Sequence, residues 1–257
     1  MRIAVLLKEV PDTYSDREMN LETGLTDRSG DVVADEVSER AVEAALRIAE
    51  AGENVSVEIL SVGPESSADS VRRGIAMGAS EAYLVSDDAL AGADVTLTAQ
   101  VLAKLVEKQG YDLVIAGSES SDGSTGVVAP FIAELLGWPS LTNLTELTVD
   151  GDSVRATQAS DAATVELAAS LPAVVSVADE FADPRYPNFK GLMAAKKKEL
   201  NTVTLAELGV DPADFTHPRA IMVGIERRPE RQRGEIIDAN STSAARLVDF
   251  LESKNLI

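Results

Sequence analysis

Residues Tyr111 to Pro139 read YDLVIAGSESSDGSTGVVAPFIAELLGWP, and the order of residue types in this stretch decides the fold. Leu113 to Ala116 form an uninterrupted apolar run, the mark of a strand covered on both faces. Gly117 and Gly123 bracket a loop of small polar residues whose backbone can approach a ligand closely. Ser124 or Thr125 is placed to cap the helix that follows, which would leave backbone N–H groups directed over the strand end. A helix start of that kind is a seat for phosphate. The same outline also fits an ordinary strand–loop–helix connection.

Upstream, strands and helices alternate. Arg2 to Leu7 is an apolar strand with Lys8 at its exit, and Glu36 to Glu50 places Val37, Ala41, Ala44, Ala45 and Ile48 on one helical stripe. Asn54 to Val62 predicts a strand, and Ser67 to Met77 a helix stopped at Gly78. Ala82 to Ser86 predicts a further strand, and Asp94 the cap of a long helix. The alternation implies an α/β fold: a doubly wound, mostly parallel sheet with ligands gathered outside the carboxyl ends of its strands.

Beyond Pro139 the rhythm changes. Leu144 to Val149, Ser153 to Gln158 and Ala163 to Leu167 read as hairpin strands, and Pro172 to Val177 as a buried one. Ala178 to Lys198 has no clear period. Thr204 to Glu207 offers a short capped helix, Asp211 to Arg233 an extended arm, and Ser243 to Ser253 a terminal helix. The expected division is a nucleotide-binding domain over residues 1–200 and an arm with its helix over 201–257.

Composition narrows the function. With 43 acidic against 23 basic residues the net charge is −20, the wrong sign for nucleic acid. An acidic, lysine-poor surface is expected in a salt-adapted protein, because dense salt screens its self-repulsion. The chain has no cysteine and a single histidine, His217, so thiol chemistry is excluded and histidine-based catalysis or zinc binding is not expected. No metal site is expected. No apolar run reaches bilayer length and the first residues do not read as a signal peptide, so a cytoplasmic location is expected.

Six blocks in order give these patterns a more specific reading: KEVPDT from Lys8, VGP and AMGA between Val62 and Ala79, DGST with Pro130 and ELLGWP, LPAVVSV from Leu171, PRYPNFKGLMAAKKK from Pro184, and GEII from Gly234. Together they resemble the electron-transfer flavoprotein β subunit across nearly the whole chain. The resemblance implies a Rossmann-like domain of the adenine-nucleotide α-hydrolase type and a heterodimer whose α subunit carries a redox-active FAD and is wrapped by the β arm. It implies an electron carrier, not an enzyme, receiving electrons from flavin dehydrogenases and passing them to a quinone oxidoreductase or a ferredoxin-type acceptor. In one branch of the family β binds AMP; in the flavin-type and bifurcating branch it binds a second FAD. KEVPDT and DGST resemble the second branch, so FAD is expected in the β site, with AMP as the alternative.

Carried over by position, the resemblance implies a nucleotide site from Leu6, the residues Asp35, Glu36, Val37 and Ser38, and the turn at Val62 and Gly63. To these it adds Gly117, Ser118, Asp122, Gly123, Ser124, Thr125, Gly126, Val127 and Val128. Asp122 would accept from a ribose hydroxyl or a loop amide, or simply serve the turn. Thr13 or Tyr14 would approach the α-subunit flavin. Docking to a dehydrogenase is implied for Arg185, Tyr186, Phe189 and Leu192, with Phe189 where the family has an exposed leucine anchor. Lys196 to Lys198 and the arginines between Arg227 and Arg233 are solvated runs or pair with the α subunit. The chain departs from the family pattern at Asp35–Glu36, at Ser124 and at Val165. A stand-alone nucleotide-binding stress or regulatory protein is the competing reading; an ATPase of P-loop type is not, since no GxxxxGK[ST] occurs.

Overall fold

A computed structural model describes residues 1–231 and 233–257; Gln232, inside the basic cluster of the arm, lies outside the described residues. The chain forms two compact units, Met1–Val223 and Gly224–Ile257. The first is built on strand β1 (Arg2–Leu6), followed by a small antiparallel pair, β2 (Glu9–Pro11) with β3 (Val32–Ala34). Helix α1 (Glu36–Ala51), β4 (Ser56–Val62), α2 (Ala68–Met77), β5 (Glu81–Val85), α3 (Val95–Gln109), β6 (Leu113–Gly117) and α4 (Val128–Leu136) then alternate. Four strands follow, β7 (Ser140–Asp150), β8 (Ser153–Ala159), β9 (Thr164–Ser170) and β10 (Ala173–Val177). Helix α5 (Phe189–Lys197), β11 (Asn201–Val203) and α6 (Leu205–Leu208) complete the unit.

Nine strands make one sheet in the order β11-β5-β4-β1-β6-β10-β7-β8-β9. Every pairing from β11 to β7 is parallel, and β8 and β9 add antiparallel strands at one edge. The expected doubly wound, mostly parallel sheet is therefore present. Its two-sided burial follows from the period of two along a strand. In β1, Ile3 and Val5 pack with Val42 of α1 and Ile75 of α2, while Ala4 and Leu6 pack with Leu105 of α3 and Ile132 of α4. Each fully buried Ile or Leu contributes roughly 1.5–3 kcal/mol relative to exposure.

Local chemistry sets the element ends. Asp94 caps α3 by accepting from Leu97 N–H at 2.8 Å, as expected. Thr204 and Glu207 form a reciprocal capping box on α6. Near the amino ends of the strands, Glu58 is buried and held by Arg2 at 2.9 Å and by the Tyr111 hydroxyl at 2.8 Å. Burial and that bond to Glu58 push the Tyr111 hydroxyl well above its usual range.

Elements not expected from the sequence include the paired strands β2 and β3, the strand β11 and the helix α5, which occupies part of the aperiodic stretch before Lys198. In the second unit, the helix α7 (Ser243–Ser253) spans the expected residues, and Leu247, Val248 and Phe250 are exposed on it. No helix among the described residues is long and apolar enough to cross a membrane.

Candidate functional site

The strand order reverses direction around β1: the chain moves from β1 toward β4 and β5, then returns to place β6 on its other side. Ligands of open α/β sheets collect outside the carboxyl ends at such a point. Here that crevice is bounded by the exit of β1, the first turn of α1, and the loop after β6. Gly117 allows them to meet, because a Cβ at that position would lie 3.0 Å from the Val37 carbonyl carbon and 3.1 Å from Ser38 N.

Two carboxylates organise the loop. Asp35 is buried and caps α1, accepting from Ser38 N–H at 3.1 Å and the Ser38 hydroxyl at 3.2 Å. Its other oxygen accepts from Ser121 N–H at 2.9 Å, tying the 117–127 loop to the start of α1. Glu36, beside it, is exposed. The acidic pair at this point is thus half structural, since the Asp35 charge is enclosed by three donors.

Asp122 has a side chain only 5% exposed. Its Oδ1 accepts from Lys8 Nζ at 2.6 Å and from the Ser120 hydroxyl at 2.8 Å, and its Oδ2 accepts from Arg28 Nη2 at 2.9 Å. Burial works to raise the Asp122 carboxyl, but the bond and charge of Lys8, aided by Ser120 and Arg28, hold it below the usual carboxylate range. Arg17 also donates to the Ser121 carbonyl oxygen. Three cations from residues 8–28 therefore grip residues 120–122. With both oxygens engaged, Asp122 acts as a fastener of the loop.

The remaining loop residues stay open. Gly123, Ser124, Thr125 and Gly126 are exposed, with Ser124 at φ +46° and Gly126 at φ +65°. The helix α4 begins later than expected, with Val127 at the cap position and no side-chain cap. Neither Ser124 nor Thr125 caps it. The reason lies in Pro130: a helix begun at Thr125 would put this residue in its interior, where proline lacks a needed N–H and clashes with the preceding turn. Starting at Val128 keeps Pro130 within the first turn and leaves the amides there without a side-chain partner. Nearby, Arg28 Nη1 and Ser121 Oγ are buried and have no hydrogen-bond partner.

Of the residues named from the sequence, Asp35, Val37, Ser38, Gly117, Ser118 and Asp122 come together here. Ser118 N–H donates to the Val177 carbonyl oxygen at 2.8 Å, which holds the loop start on β10. Leu6 lies buried at the end of β1, and Val62 ends the neighbouring β4 at the same side of the sheet, with Gly63 just beyond it. Lys8, Arg17, Arg28 and Ser120 were not foreseen. Lys8, standing at the exit of an apolar strand, was the one available signal.

A second exposed region surrounds α5. Tyr186 is 85% exposed and Phe189 is 79% exposed, with Leu192 and Met193 beside them. Asn188 caps α5 by accepting from Gly191 N–H at 2.9 Å. Arg185 turns back onto α1, where it pairs with Glu43 at 2.7 Å and with Glu50. Tyr14 is exposed, and so is His217.

These features define an open α/β domain with a fastened loop at its switch point and a separate apolar platform. A profile of the electron transfer flavoprotein domain matches residues 23–208. A protein of Mycobacterium tuberculosis (strain ATCC 25618 / H37Rv) named electron transfer flavoprotein subunit beta is 39% identical over 263 residues, covering 99% of both chains. A Thermoanaerobacterium thermosaccharolyticum protein of the same name is 35% identical over 100% of both. One from Megasphaera elsdenii is 29% identical over 99% of this chain and 97% of its own. The chain belongs to the electron transfer flavoprotein family, and its full-length relatives carry the name of the beta subunit.

Proposed function

We propose that the chain is the β subunit of a heterodimeric electron carrier, that its 117–127 loop holds a nucleotide, and that its 183–198 segment docks a flavin dehydrogenase. The observation that carries the nucleotide reading is the set of free donors at one sheet edge. The uncapped start of α4, the unpartnered Arg28 Nη1 and the unpartnered Ser121 Oγ lie around a loop already fastened by Lys8 and Arg28. Such donors fit a phosphate-bearing ligand, and Gly117 provides the close backbone approach.

FAD is the proposed ligand, supported by the KEVPDT and DGST blocks, with AMP as the alternative. Bound FAD supplies the electron-accepting chemistry; the protein supplies grip and orientation. Within the loop, Gly123 and Gly126 leave the backbone open to a phosphate. Ser38, Val62 and Gly63 border the same edge for the remainder of the nucleotide. Thr13 or Tyr14 is proposed to approach the flavin of the α subunit. The stretch of residues 201–257, with its basic cluster and the apolar side of α7, is proposed as the part that docks on α. Electrons are proposed to leave to a quinone oxidoreductase or a ferredoxin-type acceptor, in the cytoplasm and in a high-salt milieu. The exposed Tyr186 and Phe189 favour a carrier over a stand-alone nucleotide-binding protein, which has no use for an aromatic platform.

The test is to mix the α subunit with and without this chain and follow bleaching of its flavin by a substrate-reduced flavin dehydrogenase. Bleaching that requires the chain supports the reading. Equal rates from α alone would remove this chain from the carrier.

A further inference from the structure

Residues 183–198 are mounted on α1 and α2 by Arg185 from the segment itself and by Arg72 and Arg73 from α2. Arg185 donates to Glu43 from its backbone N–H at 3.1 Å and from Nε at 2.7 Å, and its terminal nitrogens reach Glu50. The Glu43 side chain is 5% exposed, and Arg47 holds its other oxygen at 2.8 Å. A planar arginine fork on a shielded carboxylate fixes direction as well as distance. Arg73, paired with Glu39 at 2.6 Å, lies 5.2 Å from the Tyr186 ring centre. Arg72 donates to the carbonyl oxygens of Ala195, at 2.8 Å, and Lys198, satisfying acceptors at the end of α5. Finally, a Cβ on Gly191 would collide with the Ala76 carbonyl oxygen, so α5 rests directly on the last turn of α2.

Ordering a segment this thoroughly costs conformational entropy, yet Tyr186 and Phe189 gain almost no burial from it. What the mounting secures is the position of those two rings. We propose that the Glu43–Arg185–Glu50 clamp and the Gly191 seat form a positioning device for Tyr186 and Phe189, presenting both rings in the arrangement that a pocket on the partner dehydrogenase accepts. Association then proceeds without first ordering the segment, which is where a preorganised anchor gains affinity. Arg185 is a positioning residue, not a contact residue. The inference rests on the docking reading above and adds how that surface is held.

The test uses the intact heterodimer as electron acceptor for a purified flavin dehydrogenase, in wild-type, Phe189→Ala, Arg185→Ala and doubly substituted forms. Phe189→Ala and Arg185→Ala should each raise KM for the heterodimer about tenfold while kcat changes less than about twofold. The effect of the double variant should fall well short of the product of the two single effects, because the clamp acts through the two rings and only Tyr186 is left for it to position. Multiplying effects, or an unchanged KM in Arg185→Ala, would overturn the clamp while leaving docking in place. An unchanged KM in Phe189→Ala would instead overturn the docking reading, and the clamp's role with it. Should Arg185→Ala not fold, Glu50→Gln removes only the exposed half of the clamp and should raise KM about two- to threefold. Without any partner, trypsin cleavage after Lys190 should accelerate about tenfold in Arg185→Ala or, to a smaller degree, in Glu50→Gln. Unchanged cleavage would show that the clamp restrains nothing.

Discussion

The 117–127 loop and the 183–198 segment use the same device to opposite ends. Each depends on one carboxylate, 5% exposed, held between two cations: Asp122 by Lys8 and Arg28, and Glu43 by Arg185 and Arg47. In the loop the carboxylate belongs to the part being fastened, and the cations come from residues 8–28. What remains outward is backbone and small polar side chains, with two buried, unpartnered donors just behind them. In the segment the carboxylate belongs to the scaffold helix and the cation to the segment. There, what remains outward is aromatic, apolar and basic. Burying the charges fixes both surfaces, and the groups left over decide whether the surface suits an anion or another protein.

The comparison is broken most severely by Gly191→Val. The branched side chain would drive against the Ala76 carbonyl, so overpacking should cost about 3 kcal/mol and lower the denaturation midpoint accordingly. An unchanged midpoint would mean that α5 does not sit on α2. Next in size, Asp122→Ala leaves Lys8 and Arg28 without their shared partner. It should cost about 2 kcal/mol and reduce nucleotide retained by the heterodimer about tenfold. Full retention would take the nucleotide away from this loop.

A smaller effect separates charge from shape. Asp122 and Glu43 are both held below the usual carboxylate range; in each, burial opposes the shift, and Lys8 at one and Arg185 at the other outweigh it. A carboxyl more acidic folded than unfolded stabilises fully above its unfolded pKa. That stabilisation is lost as pH falls through the folded value. The difference between wild type and Asp122→Asn, about 1 kcal/mol at neutral pH, should therefore close on acidification below the ordinary carboxylate range. A gap that persists there would mean that the substituted amide fails for steric reasons. The smallest effect is on stability in Phe189→Ala, expected within about 0.5 kcal/mol because the ring is exposed. A larger loss would place Phe189 in the core after all.

Much of the sheet was legible because its strands are apolar runs and its helices carry clear stripes. The cap at Asp94 acts over three residues, within reach of local reading; the cap at Asp35 acts over the same span but was read as part of the nucleotide site. Helix α5 was hidden because its sequence, FKGLMAAKK, presents apolar and basic residues to solvent and buries only Ala195, so no stripe exists. Strand β11 has three residues, too few to show a period. At the site, the loop and its glycines were readable, but the start of α4 was misplaced by weighing Ser124 and Thr125 as caps over Pro130 as a limit. The grip of Lys8, Arg17 and Arg28 on residues 120–122 spans some hundred positions, and no local pattern encodes it. The role of Arg185 was hidden for the same reason: its partners lie on α1.

The measurement that bears most directly on the central claim is nucleotide content. The chain would be co-expressed with its α subunit, purified in high salt, and the released FAD and AMP quantified per heterodimer. The account predicts two nucleotides, both FAD, with the second lost in Asp122→Ala. One FAD and one AMP would keep the loop as the site but correct its ligand. A single nucleotide, unaffected by Asp122→Ala, would contradict the claim that this loop binds one.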